Sequence, residues 1–231
     1  MKGLIGFSVL IMVLTVKLTA VCQVAATASG ELQPDNVRID HRVLMGNQPV
    51  LQIFLDVLRG TGLNGGFAEI AACSDLPQGN LKLTQGITIR EAMNALVSAN
   101  PSYKWELQNG VVILMPRTGV PLLDTKIGKF QMDASERETS AVVQKMLGAP
   151  EVRLHAAQLD LKLGLGQGGP GIYEEHPVPK APARFQSDWD NFSLLDGLNR
   201  IVRTSPKAVW IYRETDCRND KTYRVEVASD Y

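Results

Sequence analysis

The sequence is short of the groups from which most enzyme sites are built. His41, His155 and His176 are the only three histidines; they stand far apart and none lies in a recognisable motif, although histidine supplies most general acid and base work. None of the three cysteines belongs to a Cys-x-x-Cys pair, which removes the usual support for dithiol redox catalysis. No Ser, His and acid arrangement follows from the spacing. An excess of charge is lacking too, since 24 Lys plus Arg balance 24 Asp plus Glu. A near-neutral surface gives no electrostatic reason to expect nucleic acid or acidic lipid as partner. Disorder is excluded as well, because an apolar fraction of 45% is that of a folded chain.

Two local patterns imitate functional motifs. Gly164, Gly166 and Gly169 satisfy G-x-G-x-x-G after a candidate strand. Pro170, Gly171 and a Pro-rich stretch to Ala183 follow, so no helix N-terminus is offered to a pyrophosphate, and a loop is the simpler reading. Glu174, Glu175 and His176 are metal-ligand types, but neighbours on a loop rarely complete a site alone. The expectation is a protein that is not an enzyme and has no cofactor or metal.

Residues at the N-terminus point to export. Met1, Lys2 and Gly3 give a short basic start, and Leu4 to Val16 is an apolar run of signal-peptide length. Lys17 interrupts it before the roughly 20 apolar residues of a membrane span are reached; a retained anchor would need that lysine to snorkel. Ala26, Thr27 and Ala28 form the small-x-small pattern of a cleavage site, so residues 1–28 read as a signal peptide. Cys22 offers a lipoprotein alternative, against which Val21 is bulky for the preceding position. Cleavage before Ser29 leaves 231 − 28 = 203 residues with net charge −2, in a periplasmic or secreted location. Cys73 and Cys217 then remain where disulfides persist. A bridge between them would close a long loop, worth roughly 4 to 5 kcal/mol on the chain-entropy account. Two free thiols are the alternative, and spacing does not choose between them.

The chain also repeats itself. Ile87 to Leu107 lies over Phe192 to Tyr212 with a constant offset of 105, matching Asn94 to Asn199, Val97 to Val202, Pro101 to Pro206 and Trp105 to Trp210. Thr88 with Glu91, and Ser193 with Asp196, have the spacing of capping boxes. Ile89, Ala92, Met93, Leu96 and Val97 fall at helical spacing, as do Leu194, Leu198, Ile201 and Val202, so each helix presents one apolar stripe to a sheet. Pro101 and Pro206 stop both helices. Asn109-Gly110 between YKWELQ and VVILM is a strong two-residue hairpin signal. AVWIYRE pairs with TYRVEV across what reads as a longer loop carrying Cys217. Trp105 and Trp210 read as contacts between helix and hairpin in preference to ligand platforms.

Pattern extends the repeat upstream. A strand near Val37 to Val43, a helix capped by Asn47 through Leu58, and strands near Phe67 to Ala71 and Leu81 to Thr84 complete βαββαββ. In the second copy, Leu122 to Met132 reads as a strand, Ser135 with Glu138 as the cap of a helix to Leu147, and Leu159 to Leu165 as an alternating strand. A Gly/Pro-rich loop, 166–183, then leads to a short strand at Arg184 to Trp189.

The stretch LKLTQGITIREAMNALVSANPSYKWELQNGVVILMP resembles the short N-terminal (STN) domain shared by bacterial secretins and TonB-dependent receptors. The resemblance covers Asp35 to Pro116 and, more loosely, Leu122 to Val227, where Gly197 replaces the usual small residue after the acid. It implies an α+β fold of two small βαββαββ-like domains, each with two helices on short sheets, at 35–118 and 122–231. It also implies a periplasmic binding or signalling module whose partner is a secretin, receptor or secretion component of the cell envelope. The expected role is a non-enzymatic adaptor that meets membrane only through its partner or an uncleaved signal. The alternatives are a secreted enzyme or inhibitor with its site in 166–183, and an envelope subunit that assembles through strand edges. If Val111 to Met115 or Tyr223 to Val227 formed exposed edges, either would accept a partner strand by β-augmentation.

Overall fold

A computed structural model of the chain describes residues 36–73, 76–132, 139–164, 188–217 and 220–229. Residues 1–28, where a signal peptide is expected, Ser135 with Glu138, and residues 166–183 with Glu174, Glu175 and His176, where a loop is expected, lie outside the described residues.

The fold is α+β. In chain order the first half runs β1 (Val43–Pro49), α1 (Val50–Leu58), β2 (Asn64–Ala72), β3 (Gln78–Leu83), α2 (Ile89–Ala99), β4 (Tyr103–Gln108) and β5 (Val111–Pro116). After a 3-10 turn at Pro121–Asp124 the second half runs β6 (Lys126–Gln131), α3 (Thr139–Leu147), α4 (Pro150–Gln158), β7 (Leu161–Leu163), β8 (Asp188–Ser193), α5 (Leu194–Val202), β9 (Ala208–Cys217) and β10 (Asp220–Ser229). β1 pairs antiparallel with β3 as β6 does with β8; β5 lies between antiparallel β4 and parallel β2 as β10 lies between β9 and β7. The halves thus repeat one pairing scheme, the second with α4 added.

A parallel ladder between β2 and β9 fuses the halves into one six-stranded sheet, ordered β4-β5-β2-β9-β10-β7. Strand directions reverse from one half to the other while their left-to-right order is kept. A half-turn about an in-plane axis across the strands, combined with a shift of three strands along that axis, therefore relates the halves, and it exchanges the faces of the sheet. The cores agree: Val112, Leu114, Val209 and Ile211 pack with α1 and α2 on one face, and Val111, Ile113, Trp210 and Tyr212 pack with α3 and α5 on the other. Ile89, Met93 and Leu96 of α2 are fully buried, each worth about 2 kcal/mol as an upper estimate.

Both capping boxes form. Thr88 Oγ1 accepts from the Glu91 N–H at 3.2 Å while Glu91 Oε2 accepts from the Thr88 N–H at 2.7 Å. Ser193 and Asp196 repeat the exchange at 3.0 Å in each direction. The Thr88 amide and hydroxyl hold the Glu91 carboxyl below its ordinary value. Partial burial pushes Asp196 up, but the Ser193 hydroxyl and amide, Lys126 and Arg200 outweigh it and leave the carboxyl below 3.8. A depressed carboxyl contributes stability above its unfolded value and loses it as pH falls through the folded one. The urea midpoint is therefore expected to hold from neutral pH to about 5 and to fall below about pH 4. Asp196→Asn should make that fall shallower, and Ser193→Ala should cost about 1 kcal/mol at pH 7; an unchanged acid limb in the Asn variant would contradict the assignment.

Several local expectations are corrected. Asn47 does not cap α1: it sits within β1 at φ 52°, its N–H donating to Asn80 Oδ1 at 2.7 Å, and the helix starts after Pro49. The residue before a proline avoids helical angles, so Gln48 cannot join the helix. The first strand lies at Val43–Pro49, paired with β3, and meets the expected Val37 to Val43 only at Val43; Val37 to Ile39 form a separate short antiparallel bridge to Gly86–Ile89, centred on Arg38 and Thr88. Of the strand expected at Leu159 to Leu165, Leu161–Leu163 forms, Leu159 ends α4, which the alternation of leucines hid, and Leu165 lies outside the described residues. Pro150 opens that helix at a position where its missing N–H costs nothing. The 3-10 turn takes the start of the expected strand at Leu122 to Met132, and the strand expected at Arg184 to Trp189 is β8, Asp188–Ser193. The second hairpin has longer strands, not a longer loop, since Cys217 and Asp220 are themselves partners. Val111 to Leu114 lies between β4 and β2, whereas of Tyr223 to Val227 only Tyr223 is paired with the three-residue β7, so Arg224–Val227 has no second neighbouring strand among the described residues; β4 and β7 end the strand order.

Candidate functional site

The repeated tryptophans do the same thing in both halves. Trp105 Nε1 donates to Asn94 Oδ1, and Trp210 Nε1 to Asn199 Oδ1, each at 2.8 Å. Each bond fastens a hairpin strand to the helix before it, so both side chains are structural ties. Their exposures differ: Trp210 is fully buried, whereas Trp105 is half-buried with the Arg90 guanidinium 5.6 Å from its ring centroid.

What covers Trp210 is β2. Gly65–Ala72 pairs in parallel with Val209–Asp216, and Gly66 stands opposite Trp210. A Cβ on Gly66 would lie 2.2 Å from the indole Cε2, so only glycine lets the ring lie across this strand. The Ala208 N–H donates to Asn64 Oδ1 at 3.0 Å, which fixes where the ladder begins. Asn199 links three elements, accepting from Trp210 and donating to Gln108 Oε1 of β4 at 3.2 Å.

Glu69 and Arg213 face each other further along the ladder and form an ion pair through Arg213 Nε and Glu69 Oε1, with Glu69 buried and Arg213 half-buried. Burial pushes the Glu69 carboxyl up, and Arg213 opposes that shift. Burial and the nearby Glu69 charge likewise raise the Tyr103 hydroxyl. Glu69 Oε2 has no hydrogen-bond partner among the described residues. A glutamate in the apolar run GGFAEIAA was the only sequence signal for this pair, and it named no partner.

At the end of the same ladder the structure brings Cys73 and Cys217 together. The Cys73 N–H donates to Asp216 O at 3.1 Å, one step beyond the Ala72–Asp216 pair, and both thiols are free. The next step of that register sets Cys73 beside Cys217, and the neighbouring Cys73 thiol together with desolvation pushes the Cys217 thiol up to about 11.

The described histidines stay apart. His41 Nε2 contacts Asp56 O at 2.9 Å and its Nδ1 contacts Asp40 at 2.9 Å, while His155 Nδ1 meets Thr125 Oγ1 at 2.7 Å in the other half. Among the described residues no three His, Cys, Asp or Glu side chains are grouped to hold a metal ion, and no helix is long and apolar enough to cross a membrane.

The chain matches no protein-family model, no curated protein and no solved structure. Its candidate site therefore rests on geometry: a strand edge in the second half, β9, already holds an added strand, and the equivalent edge in the first half, β4, ends the sheet among the described residues.

Proposed function

We propose that this chain is an exported, non-enzymatic protein-binding module of the cell envelope that acts as an adaptor or accessory protein. The resemblance to the periplasmic module of secretins and TonB-dependent receptors motivates the location and class of partner. One observation carries the binding mode: the halves join by parallel strand addition, with glycine under tryptophan, and the matching edge of the first half is the end of the sheet. Strand addition gives affinity through main-chain hydrogen bonds and specificity through side-chain fit, which suits an adaptor whose surface bears little net charge.

The test is capture from the envelope with the full chain carrying a C-terminal tag, so that the signal is processed normally. Retention of an outer-membrane channel, receptor or secretion component supports the adaptor reading. A turnover reaction of the purified protein, abolished by changing one polar residue without loss of fold, would overturn it.

A further inference from the structure

We infer that the outer edge of β4 accepts one extended segment of a partner protein, running parallel to β4 with a glycine opposite Trp105, as β9 accepts β2. The inference deepens the protein-binding reading and rests on it.

The backbone of β4 is set up for this. Tyr103 is paired with Pro116, which has no N–H, so theirs is a non-hydrogen-bonded pair. Antiparallel ladders alternate, so the amides and carbonyls of Tyr103, Trp105 and Leu107 point away from β5. The Arg117 N–H donating to Ser102 O at 2.7 Å, one step outward, fits that alternation. The Tyr103 N–H is taken by Asn100 O at 3.0 Å, which leaves Trp105 and Leu107 to receive a strand. The offset of 105 puts Trp105 where Trp210 stands, and each pairs with an aliphatic residue of the next strand, Leu114 or Val227.

The side chains define the ligand. Trp210 requires glycine at its partner position because any Cβ there would enter the ring. Trp105 is tied to its helix by the same 2.8 Å bond, so its ring lies in the same relation to the next strand position and imposes the same requirement. Three residues beyond the glycine, Glu69 meets Arg213. Gln108 holds the place of Arg213 in β4, so the partner position there calls for a neutral polar group in preference to an acid.

The first probe is a blocked synthetic peptide, NGGFAQIAA, which is the sequence of Asn64–Ala72 with glutamine in place of its glutamate, together with the same peptide carrying valine at its third position. The full-length protein is titrated with each, and backbone amide exchange is read residue by residue. The glycine peptide should slow exchange at Trp105 and Leu107 at least about tenfold at saturation, and the valine peptide should not. Equal effects of both peptides, protection elsewhere, or no protection would overturn the inference. So would slowing at these amides on raising protein concentration alone, which would make the occupant a second copy.

Envelope capture separates failure of the inference from failure of the broader reading. Leu107→Pro removes an outward N–H while sparing the β4–β5 bonds, and Trp105→Ala serves where the proline variant does not fold. Loss of the captured partner from the folded variant supports edge binding. Undiminished capture by either folded variant refutes the edge while leaving the adaptor reading standing, and a wild-type chain that captures nothing counts against both.

Discussion

Trp210→Ala should lower the stability of the protein by about 4 kcal/mol, while the same change at Trp105 should cost about 1 to 2. The tryptophans are equivalent in sequence offset, hydrogen bond and position in their hairpins. Only Trp210 is enclosed on all sides, between α5 and the backbone of β2. Truncation there leaves a cavity at the joint between the halves and strips Asn199 of its donor. Gly66→Val attacks the same contact from the other side: its first side-chain carbon would fall within the indole, and overpacking of this kind costs about 1 to 3 kcal/mol. Because the residues touch, their effects should not add, and a Gly66→Val, Trp210→Ala double variant should be more stable than the sum of the singles predicts. Urea denaturation checks all four chains. Equal losses at Trp105 and Trp210 would mean that β2 does not cover the second tryptophan.

Oxidation of Cys73 and Cys217 should produce the other large effect. Oxidised glutathione is a sufficient oxidant: the Cys73 thiolate attacks it to give a mixed disulfide and releases one glutathione thiolate. The Cys217 thiolate then displaces the second, so two protein thiols become one disulfide and one glutathione disulfide becomes two thiols. The placement of the two cysteines side by side at the end of the β2–β9 ladder favours the second step. With its thiolate disfavoured, Cys217 should react slowly near neutral pH and faster as pH rises toward 11. The bridge would tie β2 of the first half to β9 of the second, and so long a closed loop should raise the urea midpoint by about 1 to 2 M. A Cys22→Ser chain isolates the pair. Intact mass lower by two hydrogens, with a reducible gain in midpoint, is the expected result. A chain that stops at a glutathione adduct would show that the sulfurs do not meet.

Much of the architecture was legible in particular residues. The capping boxes at Thr88 and Ser193 were readable because both partners lie three residues apart, within reach of local geometry alone. The Asn109-Gly110 hairpin was readable because its residues take φ of 50° and 79°, values that asparagine and glycine tolerate. The offset repeat was readable because a tryptophan, an asparagine and a proline recur in one frame. The start of α1 was misplaced because Pro49 outweighed a nearby capping residue, and α4 was missed because His155 and the exposed Leu154 blur its apolar face.

By itself, then, the sequence determined the α+β class and the repeated helix and hairpin, since those depend on contacts between neighbours along the chain; the other pairings within each copy, such as β1 with β3 and β2 with β5, join strands tens of residues apart and came from the tertiary structure. The tertiary structure decided how the copies meet. That β2 lies beside β9, that Gly66 admits Trp210, that Glu69 finds Arg213 and that Cys73 lies against Cys217 all follow from one parallel register between strands more than a hundred residues apart. Strand pairing is made by backbone groups that nearly every residue carries, so the residues of an edge do not announce their partner. The same ladder decided which edge was used, β9, and which was left at the end of the sheet, β4.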